Sequence, residues 1–314
     1  MLRIATFNLC NLGADAPQER LERLGVLIAG ELNAPAIIAV QEVMAESAAA
    51  SGPVPADPAY QALIAAIVAA NGPQYAFREV PPLAQQDGGM SGANIRVGLL
   101  FDPARVAFPD RGNAGPLDRV GIRFSDQQPS LTLNPGRIEP AHPAFAGDDR
   151  QHWALSRKAL AAEFRIGEQR LFVIVCHFKS MRSATRREED YAKRQRHIQA
   201  QVVHDFAADL LACDAQAAIV VLGDMNDAPG SKTLKWLKGE HFSNLLEDVP
   251  HEQCHTRWHG DQPQALDHIL VSPALRRGAT ARIVHLRNRQ PVSAGPEPVS
   301  DHDPVVATLP ALGA

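Results

Sequence analysis

Ala218-Ile219-Val220-Val221-Leu222-Gly223-Asp224-Met225-Asn226-Asp227 is the stretch on which the fold turns. Its first five residues are apolar, three of them β-branched, and the run breaks at Gly223-Asp224. An apolar run without alternation is a buried strand, which requires a sheet covered by helices on at least one face. Upstream, Leu171 to Cys176 is a second apolar strand, halted by His177, and a helical pattern fills about Glu188 to Leu211 between the two. On that helix Tyr191, Ile198, Val202, Phe206 and Leu210 are expected to face inward, with Arg187, Lys193, Arg194 and Arg196 turned elsewhere.

The N-terminal half repeats the design. Leu2 to Phe7 is a strand stopped by Asn8, and Ala36 to Val40 is another, ending in Gln41-Glu42. The helix between them is expected to be capped by Asp15, to carry Pro17 in its first turn and to bury Leu21, Leu24 and Ile28. Asp57-Pro58 opens a further helix with Tyr60, Leu63, Ile64, Ile67 and Val68 on its apolar face, closed by Asn71-Gly72-Pro73. Val97 to Phe101, Leu266 to Val271, Ile283 to Leu286 and Val305 to Leu309 read as strands. Phe108 to Gln151, rich in Pro, Gly and Asp, reads as long loops forming a substrate-facing rim, and Pro291 to Pro298 as another loop. Nothing resembles a linker between independent units, so residues 1–314 read as a single domain.

The composition narrows the function. The 45% hydrophobic content supports a packed core, and no apolar run approaches the roughly 20 residues of a membrane-spanning helix. Met1-Leu2-Arg3 leads straight into the first strand without a secretory signal, so a cytoplasmic protein is expected, or a secreted one if a leader preceded this sequence. Cys10, Cys176, Cys213 and Cys254 show no paired or zinc-type spacing and read as buried thiols. A net charge of −4 and a pI near 6.3 argue against coating nucleic acid by charge alone, though a nuclease needs only a local cationic track.

One Gly-Asp-x-Asn is an ordinary turn. Here, however, Asn8, Glu42, His177, Asp224, Asn226, Asp267 and the Asp301-His302 pair all fall at or beside ends of apolar strands. In open α/β sheets that is where ligands bind. Carboxylates and amides with few histidines suit a hard cation, Mg²⁺ or Mn²⁺, better than zinc. Hydrolysis of a phosphodiester needs such a cation, a group that deprotonates water, and donors for the phosphorus oxygens.

Thr6-Phe7-Asn8, Gln41-Glu42, His177-Phe178-Lys179-Ser180, Gly223-Asp224-Met225-Asn226-Asp227, Leu266-Asp267-His268-Ile269-Leu270 and Ser300-Asp301-His302-Asp303-Pro304 occur in the order found in the endonuclease/exonuclease/phosphatase superfamily. The chain resembles that family, the deoxyribonuclease I-like proteins, over nearly its whole length, and its wording is most similar to the bacterial nuclease branch. The resemblance implies a four-layer αββα sandwich of two packed mixed sheets flanked by helices. It implies that Asn8, Glu42 and Asp301 hold or adjoin the metal, with Glu42 the principal ligand. Asp224 would activate water, Asn226 would position it, and His302, oriented by Asp267, would bind or protonate a phosphate oxygen. His177 would be the second histidine on the phosphate.

One position departs from the family pattern. Where pancreatic-type deoxyribonuclease places a glutamate beside the first histidine, this chain has Gly92-Ala93-Asn94-Ile95-Arg96, so Asn94 is expected to hydrogen-bond His177 without supplying charge. Arg157 is the candidate phosphate-contacting arginine, and Lys179 opens a run of cations through Arg196 that a polyanionic strand would follow. The expected activity is therefore metal-dependent phosphodiester hydrolysis of DNA or RNA by a monomer with no protein partner implied. The alternatives are a phosphodiesterase or phosphatase acting on a small-molecule or lipid phosphate, in the manner of sphingomyelinase, and a non-catalytic binding module.

Overall fold

In a computed structural model of the protein, which describes residues 1–45, 52–125, 128–286 and 299–311, the apolar runs build two six-stranded sheets. The strands are β1 (Leu2–Leu12), β2 (Ile37–Val43), β3 (Ala76–Arg78), β4 (Arg96–Phe101), β5 (Ile122–Ser125), β6 (Gln128–Leu131), β7 (Gly136–Arg137), β8 (Leu160–Ile166), β9 (Gln169–His177), β10 (Ala218–Asp224), β11 (Ser243–Asn244), β12 (Arg257–His259), β13 (Gln262–Gln264), β14 (Asp267–Val271), β15 (Thr280–Ile283) and β16 (Val305–Leu309). The α-helices are α1 (Gln18–Val26), α2 (Asp57–Ala69), α3 (Pro143–Ala146), α4 (Arg186–Cys213), α5 (Lys232–Lys238) and α6 (Pro273–Arg276). One sheet runs β15-β16-β1-β2-β4-β3 and the other β11-β14-β10-β9-β8-β7, while β5-β6 and β12-β13 are separate hairpins. The pairs β1-β2 and β9-β10 are parallel and their outer neighbours antiparallel, so both sheets are mixed.

The pleat sorts each apolar run between two cores. Leu171, Val173 and Val175 of β9 and Val220 and Leu222 of β10 meet Ile4, Leu99 and Val305 of the other sheet. Phe172, Ile174, Ile219 and Val221 turn the opposite way and pack under Ala200 and Val203 of α4 and Leu237 of α5. Phe7, Ile38 and Val40 similarly pack against Leu24 of α1 and Leu63 and Ile67 of α2. With about 1.5–3 kcal/mol gained per fully buried large aliphatic side chain, both faces of the central strands are stabilising, which is why their sequences do not alternate. The layers are α-β-β-α, the sandwich the resemblance implies.

Several local expectations are corrected. α1 is preceded by Pro17 without a side-chain cap, so Asp15 does not cap it, and Val68 of α2 is 40% exposed. β1 runs through Asn8 to Leu12, and the last-but-one strand occupies Thr280–Ile283 rather than Ile283 to Leu286. Phe108 to Gln151 is not a loop-only rim: it contributes β5, β6, β7 and α3, and Val120, Leu131 and Ile138 join the core under α4. None of that stretch lines the catalytic cleft among the described residues. Only Cys176 is buried among the four free thiols, and Cys213 is exposed. The expected loop from Pro291 to Pro298 lies outside the described residues.

The inward side of α4 does not carry its largest apolar residues. Ala192, Gln195, Gln199, Ala200, Val203 and Ala207 are buried, whereas of the expected set only Leu210 is, with Tyr191, Ile198, Val202 and Phe206 partly exposed. Small side chains let the helix approach, and the buried glutamines satisfy loop groups. Gln195 and Gln199 donate to Ala144 O from 2.8 and 2.9 Å, and Gln199 Oε1 accepts from Lys179 N at 2.8 Å. Arg196, expected to face away, is buried with Nε 3.5 Å from Asp227.

Candidate active site

The same pleat that builds the inter-sheet core places the polar row. His177 pairs with Asp224, and Asp224 with Asp267, at one level across β9, β10 and β14. Each continues an apolar series, Val173-Val175, Val220-Leu222 and Ile269-Val271, that faces the opposing sheet. His268, one residue out of phase, points away and meets Asn244 Nδ2 and Asp227 O. Gly223 is required between them: a Cβ there would sit 2.0 Å from Cys176 O, and its φ of +138° is one that side-chain-bearing residues avoid.

On the facing sheet, Asn8 continues the Ile4 side of β1, but parity alone would send Gln41, not Glu42, toward the cleft. The β2 register shifts between Gln41 and Val43, and Glu42 sits in that bulge at φ 59°. The bulge re-aims its carboxylate. Cys10, Asn11 and Asn226, which also line the cleft, have φ of 46°, 54° and 49°, a concentration of backbone strain typical of functional sites.

Together these residues enclose a cleft of about 270 Å³ at the ends of the two central strand pairs. Glu42, Asp224 and Asp301 supply its negative groups, and Arg157, Lys179, Arg182 and Arg257 its positive ones, with His177 and His302 between. Asn8 Nδ2 donates to Glu42 Oε1 (3.3 Å) and Asp224 Oδ2 (3.1 Å), while its oxygen accepts from Cys10 N (2.9 Å). Asn8 thus clamps two carboxylates through its amide nitrogen. Asn226 N donates to Asp224 Oδ1 at 2.8 Å and its side chain to Phe178 O at 3.2 Å. His302 Nδ1 lies 2.7 Å from Asp267 Oδ2, and its Nε2 faces Asp224 Oδ2 at 3.9 Å. His177 Nε2 is 3.4 Å from Asp224 and 3.8 Å from Glu42.

Asn94 is the residue that the structure does not bring in. It is buried away from the cleft, its oxygen accepting from Gln85 N at 2.7 Å and its nitrogen donating to Ala45 O and Gly92 O. The expected bond to His177 is absent among the described residues, and His177 Nδ1 is buried without a partner. Its φ of 45° explains the choice: a left-handed backbone turns the amide back into its own loop. Arg157, by contrast, is no surface charge; it is buried, donates to Phe178 O and lines the cleft. Sequence reading missed Thr256, which donates to Asp267 Oδ2 at 2.7 Å, and Arg257, whose Nη2 pairs with Asp301 Oδ2 at 2.9 Å. Both lie at the β12-β13 hairpin, where no apolar periodicity signals a strand.

Burial opposes the charge on His302, yet Asp267, Asp224 and Asp301 overcome it and push its pKa up to about 10. Burial, with the charges of Arg157 and His302, holds His177 well below the usual imidazole value. The two histidines are thus opposites, one cationic and one neutral. Burial raises the Asp224 carboxyl, Asp267 adding to it and His302 opposing. Burial together with Asp301 and Glu42 pushes the Cys10 thiol up to about 11.

The donor set fits a hard divalent cation. Glu42, 21% exposed at its side chain, and Asp301 present carboxylate oxygens to the cleft, and buried Asp267 Oδ1 lacks a partner among the described residues. No helix of the described residues is long and apolar enough to cross a membrane.

Fold and site define a metal-dependent phosphoesterase. The chain belongs to the Endonuclease/Exonuclease/phosphatase family, whose model matches residues 5–302. Among solved structures it is similar to D. rerio TDP2 complexed with single strand DNA product, at 17% identity, TM-score 0.55 and coverage of 99% of each chain. It is also similar to SmcL, at 15% identity, TM-score 0.61 and 98% of each chain. A third likeness is to Bacteroides thetaiotaomicron VPI-5482 mannosyl-6-phosphatase Bt3783, at 14% identity, TM-score 0.57 and coverage of 98% of this chain and 99% of that one. A search of curated proteins found no match.

Proposed function

We propose that the protein is a nuclease, cleaving phosphodiester bonds of DNA or RNA with Mg²⁺ or Mn²⁺ held by Glu42 and Asp301. The observation that carries the nucleic-acid reading is a groove of about 550 Å³ that shares Lys179 and Arg182 with the catalytic cleft. In it Tyr191 lies beside the His152 ring, with centroids 4.6 Å apart, and the guanidinium groups of Arg187, also in the groove, and of Arg194, outside its lining, stand 5.6 and 5.4 Å from the Tyr191 ring centre. An aromatic ring among cations, leading out of a phosphoryl-transfer cleft, suits a strand whose phosphates and bases are bound together. Among similar structures, the D. rerio TDP2 complex with single strand DNA product is consistent with this reading.

The ion, when bound, supplies Lewis acidity at a phosphoryl oxygen. Asp224, made more basic by burial, takes the proton of the attacking water, and Asn226 positions that water. Cationic His302, oriented by Asp267, presents Nε2–H to a phosphate oxygen across the gap it leaves toward Asp224. Neutral His177 adds a hydrogen bond, and Arg157 and Lys179 add charge against the developing oxyanions.

The test is incubation with DNA, RNA, bis(p-nitrophenyl) phosphate and sphingomyelin, each with and without EDTA. Metal-dependent cleavage of polynucleotide is expected. Hydrolysis of lipid or a small ester without polynucleotide cleavage overturns the nuclease reading, and EDTA-resistant turnover overturns the metal.

A further inference from the structure

We propose that His255, His285 and Asp303 form a second metal site, outside the catalytic cleft, for zinc or another divalent ion that prefers imidazole. Their ligand atoms lie within 4.8 Å of one another, and none of the three lines the cleft. They come from three separate segments: His255 ahead of β12, His285 just past β15, and Asp303 just ahead of β16. His285 Nδ1 is 2.9 Å from Asp303 Oδ2, and the His255 and His285 rings stack with centroids 4.1 Å apart and planes 13° apart.

Two imidazole nitrogens and one carboxylate oxygen are the donor set of a zinc site with three protein ligands and a water, whereas the cleft's all-oxygen set suits Mg²⁺ or Mn²⁺. Zinc bonds of about 2.0–2.2 Å need ligand atoms roughly 3.5 Å apart, so on binding the stacked His255 and His285 rings turn out of their parallel arrangement and the His285–Asp303 hydrogen bond gives way to two bonds to the ion. The surroundings are already built: Asp303 Oδ1 accepts from Leu286 N at 2.9 Å, which fixes the carboxylate, and Trp258 packs edge-on to His255 at 5.0 Å. With three protein ligands the ion keeps an open fourth position, and its effect on the catalytic cleft is mechanical. Asp303 N donates to Thr256 O at 2.6 Å, and Thr256 and Arg257 hold Asp267 and Asp301. An ion at this site ties the β12 approach to the loop bearing His302, and so braces the phosphate-binding histidine from behind.

The site stands independently of the nuclease reading, because its test is binding. The full chain is dialysed against Zn²⁺ and its metal content measured, and Co²⁺ is titrated as a probe whose visible absorption reports tetrahedral coordination. One equivalent is expected to remain in a Glu42→Gln/Asp224→Asn variant and to raise its thermal midpoint. In His255→Ala and in His285→Ala, each first shown by circular dichroism to fold without metal, affinity is expected to fall by more than the roughly 10- to 100-fold that loss of an outer-shell partner costs. No bound zinc in the parent chain, undiminished binding in both histidine variants, or loss of all binding in the Glu42→Gln/Asp224→Asn variant overturns the proposal.

Discussion

His302 and Asp267 are joined by a 2.7 Å contact from Nδ1 to Oδ2, and the same carboxylate oxygen accepts a second bond, also of 2.7 Å, from Thr256. The imidazole is thereby fixed in orientation and kept charged, with Nε2 aimed into the cleft toward Asp224.

Asp267→Asn is expected to lower kcat about 10²–10⁴-fold on bis(p-nitrophenyl) phosphate with saturating Mg²⁺, because an amide neither holds the imidazolium nor enforces its tautomer. Circular dichroism is expected to show an intact fold. Near-normal kcat in this variant contradicts the pairing's role.

Stability should depend on pH through the same pair. The folded His302 value of about 10 lies above the ordinary 6.5, so its contribution is fully present below pH 6.5 and is lost as pH rises through about 10. Urea midpoints in EDTA across that window are expected to fall with rising pH, and to fall less in Asp267→Asn. A flat profile in the parent chain rules out the charged buried histidine.

At the acid end the expectation reverses for Glu163. Although burial raises its pKa, Arg111, Leu131 N and Ser130 more than offset this and hold it below the usual carboxylate value. Its contribution is present above pH 4.5 and lost as pH falls through the depressed value, so Glu163→Gln should flatten the acid limb of a melting-point profile.

Tyr191→Ala tests the groove. The Tyr191 ring holds His152, Arg187 and Arg194 in place, so its loss is expected to raise KM for single-stranded DNA by up to roughly 5-fold, about 1 kcal/mol of cation–π contact, with bis(p-nitrophenyl) phosphate turnover unchanged. Equal effects on both substrates would place Tyr191 in folding rather than in strand binding.

Gly223→Ala is expected to destabilise by about 1–3 kcal/mol from the backbone conformation alone, and further from overlap with Cys176 O, read as a fall in denaturation midpoint.

Much of the site was legible because continuous apolar runs and abrupt polar stops are local. Val220-Val221-Leu222 ending in Gly223-Asp224, and Val173-Ile174-Val175-Cys176 ending in His177, announce both the buried strands and the polar row past them. The layered α/β architecture follows from the same runs, since a strand apolar on both faces needs cover on both. The buried face of α4 departs from the sequence pattern for a related reason: size of side chain suggests burial, but close approach to a sheet selects alanine, and the loop carbonyls select glutamine.

What the sequence by itself determined is which residues can do chemistry and on which strands they sit, because hydrophobic periodicity depends only on neighbours along the chain. What only the tertiary structure decided is how those residues aim. The bulge at Glu42, the inward turn of Asn94, the clamp of Asn8 on Asp224 across 216 positions and the pairing of Arg257 with Asp301 all arise where separate segments meet. Electrostatic and hydrogen-bond energies in a buried cleft depend on distances between such segments, and local sequence does not encode those distances.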